Sequence, residues 1–171
     1  MLTMRTRLEG SPIPPAIDFS EELEKSADLV MQEIRGGIER GEDPDGAPFI
    51  PNAPDYASWK LKKLGHSKPL KASGKTLVSK SSYKTKKGKN RITIFLSSAR
   101  HPKSDATISE IGEYNQFGTS RSPARRFFDI SVRAEKRIFA MISDKIARIV
   151  RGGASSGNVS LANRISEQLR G

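Results

Sequence analysis

Two runs of helical periodicity, one near each end of the chain, constrain what it can fold into more than any other feature. In the first, Phe19, Leu23, Ala27, Val30 or Met31, Ile34 and Ile38 recur at spacings of three and four; in the second, Ile138, Met141, Ile142, Ile146, Ile149 and Val150 do the same. Side chains so spaced share one face of an α-helix, and that face needs something to bury it. Asp18, with Glu21 three positions on, is the expected start of the first helix, and Gly36-Gly37 or Gly41 its end. Ser131 is placed to cap the second, which Gly152-Gly153 closes.

What lies between cannot continue either helix. Pro44, Gly46, Pro48, Pro51 and Pro54 make residues 41–54 a loop, because each proline lacks an N–H and fixes its own φ. Residues 53–64 read as a short helix carrying Tyr56, Trp59, Leu61 and Leu64, ended by Gly65. Further on, Ile92, Ile94 and Leu96 alternate with Thr93, Phe95 and Ser97, the period of two of a half-buried strand. Residues 70–83 read as its extended partner, with the run from Lys84 to Asn90 as the tip of a β-hairpin. Residues 107–115 are expected to make two turns of helix that stop at Gly118.

The expected fold class is α+β: a small antiparallel sheet with a β-hairpin packed against two long helices, with extended N- and C-terminal arms. Residues 1–17 form the proline-rich N-terminal arm, 18–153 a single domain, and 154–171 a C-terminal tail that begins as a Gly/Ser linker and ends in a short helix bearing Leu161, Ile165 and Leu169. So few strands leave an open sheet edge, of the kind a neighbouring subunit can cover.

Charge is distributed very unevenly. The net charge is +11, yet fourteen Lys or Arg fall between Asp55 and Asp105, where there is no acidic residue, and the rest of the chain is slightly acidic. A block of this kind points to an acidic partner, either nucleic acid or the acidic surface of another protein, or else to a lysine-rich face kept in solvent. Lys84, Lys86, Lys87, Lys89 and Arg91 concentrate it on the hairpin, where it can attract phosphates. Tyr83 and Phe95 are not spaced as a stacking platform for single strands, so the patch carries no sign of base reading.

Catalysis finds little support. With no cysteine, disulfides, thiolate metal sites and cysteine nucleophiles are excluded. The two histidines, His66 and His101, sit in lysine-rich loops with no carboxylate nearby in sequence. Gly74-Lys75-Thr76 ends like a phosphate loop but lacks the first glycine that would bring backbone N–H groups onto a phosphate. Glu110 and Glu113 have no ligand partner at metal spacing. The expectation is a protein that is not an enzyme, with no metal and no cofactor. No stretch approaches the ~20 apolar residues of a membrane span and no signal sequence is evident, so the chain is expected to stay in the cytoplasm where it is made.

Two stretches carry a resemblance to a known family. The first contains Asp45-Gly46-Ala47-Pro48-Phe49, Trp59-Lys60, Pro69-Leu70-Lys71-Ala72-Ser73-Gly74-Lys75-Thr76-Leu77 and Ser81-Ser82-Tyr83. The second is Gly112-Glu113-Tyr114-Asn115-Gln116-Phe117-Gly118, followed by Pro123-Ala124-Arg125-Arg126-Phe127. In this order, over residues 45–131, they resemble the phage virion morphogenesis, or tail completion, family of tail terminator and neck proteins. Where that family often carries His before Gln-Phe-Gly, this chain has Asn115.

The resemblance implies a structural virion protein, a homo-oligomer in a hexameric ring at the head-proximal end of the phage tail or in the neck. Its partners would be tail-tube and neck or head-tail connector proteins, with possible non-specific contact with genomic DNA in the channel and none with membrane. Gln116, Phe117, Gly118, Pro123, Arg125, Arg126 and Phe127 are then candidates for the subunit interface, and read on their own they equally make an intramolecular turn. The alternative is a small basic DNA-binding protein outside the virion.

Overall fold

The computed structural model describes residues 3–7, 17–71, 76–102 and 104–153. The prolines of the arm, Gly74-Lys75 and the tail after Gly153 lie outside the described residues. By contacts the chain forms two compact units, Met1–Glu135 and Lys136–Gly171, so the span read as one domain over 18–153 divides within the last helix.

Helix α1 (Ser20–Arg40) realises the first periodicity: Leu23, Ala27, Val30, Met31, Ile34 and Ile38 are buried along one stripe. Its start differs from the expected cap by one residue. Phe19 holds the cap position without a side-chain cap bond, while Asp18 accepts from the Ser20 N–H at 2.8 Å. The helix runs through Gly36-Gly37 and stops at Gly41, whose φ of 85° suits glycine and whose N–H reaches the Gly37 carbonyl at 2.8 Å.

The loop after α1 is folded by its own polar groups. Asp43 accepts from the Asp45 and Ala47 N–H groups, and Phe49 N–H returns to the Gly41 carbonyl at 2.8 Å, burying the Phe49 ring. Helix α2 (Pro54–Leu64) follows, with proline in its first turn and Gly65 as its left-handed stop.

Within the expected strand over residues 70–83, the described residues 70–71 and 76–82 are not extended in a sheet. Leu77 and Val78 are buried in a turn rather than a ladder, and residues 80–82 form a single 3₁₀ turn. Ser82 hydroxyl donates to the Thr76 carbonyl, Tyr83 hydroxyl donates to the Leu77 carbonyl at 2.6 Å, and Arg35 of α1 caps the Val78 carbonyl at 2.7 Å. Apolar residues at this position signalled burial and not extension, because side chains satisfy the backbone where a partner strand would have.

The hairpin therefore sits later than expected. Strands β2 (Tyr83–Gly88) and β3 (Arg91–Leu96) pair antiparallel through the two-residue turn Lys89-Asn90, so the basic run is a strand rather than a tip. A strand, β1 (Thr3–Arg7), pairs with the other side of β3, in the order β1-β3-β2. This part of the N-terminal arm thus belongs to the sheet and covers the edge of β3.

Helix α1 packs on β3, whose Ile92, Ile94 and Leu96 point into the core. Helix α3 (Ile108–Phe117) begins with a complete capping box between Thr107 and Glu110. It approaches β3 closely because Gly112 has no side chain: a Cβ there would lie 2.1 Å from Leu96 Cδ1. Helix α4 (Val132–Gly153) starts where Ser131 Oγ accepts from Ala134 N–H at 3.0 Å, as the sequence indicates.

Candidate functional site

The second motif stretch folds into a turn held by Gln116, Gly118 and Arg125. Gln116 Oε1 accepts from both Phe127 N–H (2.9 Å) and Phe128 N–H (3.0 Å), fixing the chain that returns after the turn. Gly118 has φ 76° and ψ 177°, a region essentially confined to glycine, and a Cβ would meet the Ala124 nitrogen at 2.7 Å. The main-chain N–H of Arg125 donates to the Asn115 carbonyl at 2.7 Å, closing the loop back onto α3 and placing the guanidinium beyond it.

That guanidinium joins the two motif stretches. Arg125 is buried, and its Nε donates to the Ile50 carbonyl (2.7 Å) while Nη2 donates to the Pro51 carbonyl (3.0 Å) and Asn52 Oδ1 (3.3 Å). The planar fork of donors suits two successive carbonyls of an irregular loop. Arg126 instead lies exposed and pairs with Asp45, with Asp129 further off at 3.8 Å.

Of the interface candidates, Gln116, Gly118, Arg125 and Phe127 are thus engaged within the chain, Arg125 through its bonds to the oxygens of residues 50–52. Pro123 and Arg126 are exposed, and Phe117 is 70% exposed at the end of α3, with Tyr114 one turn earlier also in solvent. Sequence reasoning passed over α2 as a candidate surface. Tyr56 and Trp59 stack there at 5.5 Å with both rings half-exposed, and Leu61 and Leu64 are exposed beside them in sequence. The signal was present: four large apolar residues in eleven, none with a partner to match.

The hairpin cations divide between two faces. Cross-strand partners share a face, and Lys84 pairs with Phe95, Lys86 with Thr93 and Gly88 with Arg91. Lys84, Lys86 and Arg91 therefore project from the side opposite α1, while Lys87, opposite Ile92, turns toward α1 and pairs with Glu24 at 2.5 Å. Lys89 occupies the turn. On the register of β1, Arg5 lies opposite Thr93 and Arg7 opposite Arg91.

Beneath the Arg125 turn lies an open cavity of about 490 Å³. It is walled by α2 through Tyr56 and Lys60, by α3 through Ile111 and Asn115, by the turn through Arg121 and Arg125, and by Leu70, Thr76 and His101. Lys60 is 2% exposed; its ammonium donates to the Lys68 carbonyl and lies 5.8 Å from the centre of the Tyr56 ring. Burial, and then the charge of Arg125, hold Lys60 below the ordinary lysine range. Burial also lowers Arg125, against the opposing influence of Tyr56, and raises the Tyr83 hydroxyl in the core above its usual value.

Among the described residues no group of His, Asp and Glu is arranged to hold a metal ion, and no helix is long and apolar enough to cross a membrane. Comparison with protein-family models, with curated proteins and with solved structures finds no match.

Proposed function

We propose that this chain is a structural virion protein, a ring-forming subunit that completes the head-proximal end of a phage tail or the neck. The observation that carries the reading is apolar surface left in water: Tyr56, Trp59, Leu61 and Leu64 on α2, and Tyr114 and Phe117 on α3. Large aromatic side chains displayed on ordered helices gain most when another protein covers them. The motif order shared with the virion morphogenesis family supports the same reading, and the basic outer face of the hairpin supplies a surface for an acidic ring stacked above or below.

Light scattering on the purified chain tests it. The parent is expected to show a mass several times the 18.8 kDa of one chain, and the double variant W59S/L61S to fall to one chain with unchanged circular dichroism. A parent that stays monomeric at all concentrations, or a variant that assembles normally, refutes the proposed surface.

A second reading draws on a different observation. Lys84, Lys86 and Arg91 share one exposed face, and such a face attracts phosphates. A small DNA-binding protein would show sub-micromolar affinity in a gel shift, falling steeply with salt.

A further inference from the structure

We propose that the cavity between α2, α3 and the Arg125 turn is a binding site for a small oxyanion-bearing molecule, a carboxylate or phosphate, seated against Lys60 and Arg125. The argument begins with charge. Lys60 and Arg125 are both buried side chains on the cavity wall, and Arg121 stands exposed on it, yet none of the described residues lining the cavity is acidic. Buried cations are ordinarily paired, because an ammonium taken out of water loses solvation that an opposite charge recovers best.

Backbone oxygens answer part of that need. Arg125 spends Nε and Nη2 on the Ile50 and Pro51 carbonyls and Asn52, and Nη1 on Ser122 Oγ at 3.3 Å, while the Lys60 ammonium, with three protons to donate, reaches the Lys68 carbonyl. Carbonyl dipoles leave the net positive charge standing, and burial first, then the neighbouring charge of Arg125, hold Lys60 below its ordinary range.

The rest of the cavity is shaped for a small ligand. His101 Nε2 and Thr76 Oγ1, 3.0 Å apart, and Asn115 add polar groups, while Tyr56 and Ile111 offer apolar wall. A volume of about 490 Å³ is in the range of small-molecule sites. Leu70, on the same wall, holds φ at 57°, and Lys71 N–H closes a three-residue turn on the Pro69 carbonyl at 2.6 Å. Non-glycine residues keep such a conformation only where surroundings enforce it. Both motif stretches of the sequence line this one cavity, and the inference does not depend on the assembly reading.

Thermal unfolding of the full chain at constant ionic strength, titrated with inorganic phosphate and separately with citrate, tests the site. Saturable stabilisation is expected with at least one, and Lys60→Met is expected to weaken it by about tenfold or more, the loss of one charge-assisted hydrogen bond. Without anion, Lys60→Met should be no less stable than the parent, since it removes an uncompensated buried charge. Arg121→Gln, an exposed change that spares the core, should weaken binding several-fold and serves if Lys60→Met does not fold. A response to neither anion, or one that both variants retain in full, overturns the proposal. Preference for phosphate over citrate identifies a phosphate ligand, and the reverse a carboxylate.

Discussion

Arg125 shows how one side chain can organise two distant segments. Its guanidinium satisfies carbonyls at Ile50 and Pro51, more than seventy positions away in sequence. Replacing it with methionine removes those donors and leaves buried acceptors unpaired, which is expected to cost about 2–3 kcal/mol in urea denaturation. A variant as stable as the parent would show that water replaces the guanidinium. The sequence singled out this residue but not its partner. Spacing can mark Gln116, Gly118 and Arg125 as a unit, yet it cannot say whether a polar fork closes on the chain's own loop or on a neighbour. Lys60 was less legible still: a lysine amid basic neighbours on a short helix reads as solvated, and only its bond to the Lys68 carbonyl and its low exposure reveal that it is buried.

Among the elements, helices were read well and strands partly. The stripe of α1, the stop at Gly65 and the Ser131 cap depend on local chemistry that sequence displays directly. Strand β3 alternates visibly, but five of the six residues of β2 are exposed, so no apolar pattern marks it. Strand β1, TMRTR, likewise offers little apolar signal and depends on pairing with β3.

Two predictions belong to this scale. Glu110 accepts from the Thr107 N–H at 2.7 Å, and this bond, with that from the Thr107 side chain, holds its carboxyl below 4.5. A lowered carboxylate stabilises the fold above its unfolded value and ceases to do so as pH falls through the folded one. The stability difference between the parent and Glu110→Ala, followed by denaturation from pH 7 to pH 3, should therefore be full above about pH 4.5 and close below it. A difference independent of pH would mean that the cap acts without its charge. On the hairpin, reversing Lys84, Lys86 and Arg91 to Glu should leave the fold intact, since all three are exposed, while abolishing head-to-tail joining in a complementation assay. Lys87→Glu, on the α1 side, should join normally apart from a small stability loss through repulsion with Glu24. Normal joining by the triple variant would remove the outer face from the account.

For the whole molecule, the proposed role, a subunit completed by other copies and other rings, would account for both the segregated charge and the unburied aromatic surface. The basic middle segment supplies the sheet's outer face and most of α2, so attraction to an acidic partner and the apolar contact surface are built from adjacent stretches of chain. The acidic remainder includes much of α1, which lies on the opposite side of the sheet from Lys84, Lys86 and Arg91. Opposed faces of unlike charge favour stacking in one direction. The central claim, that the chain acts as a component of a particle, is tested most directly by quantitative mass spectrometry of gradient-purified particles from the phage proposed to encode it. The account predicts about six copies per particle, one closed ring. Abundance in infected cells together with absence from the particles would contradict it.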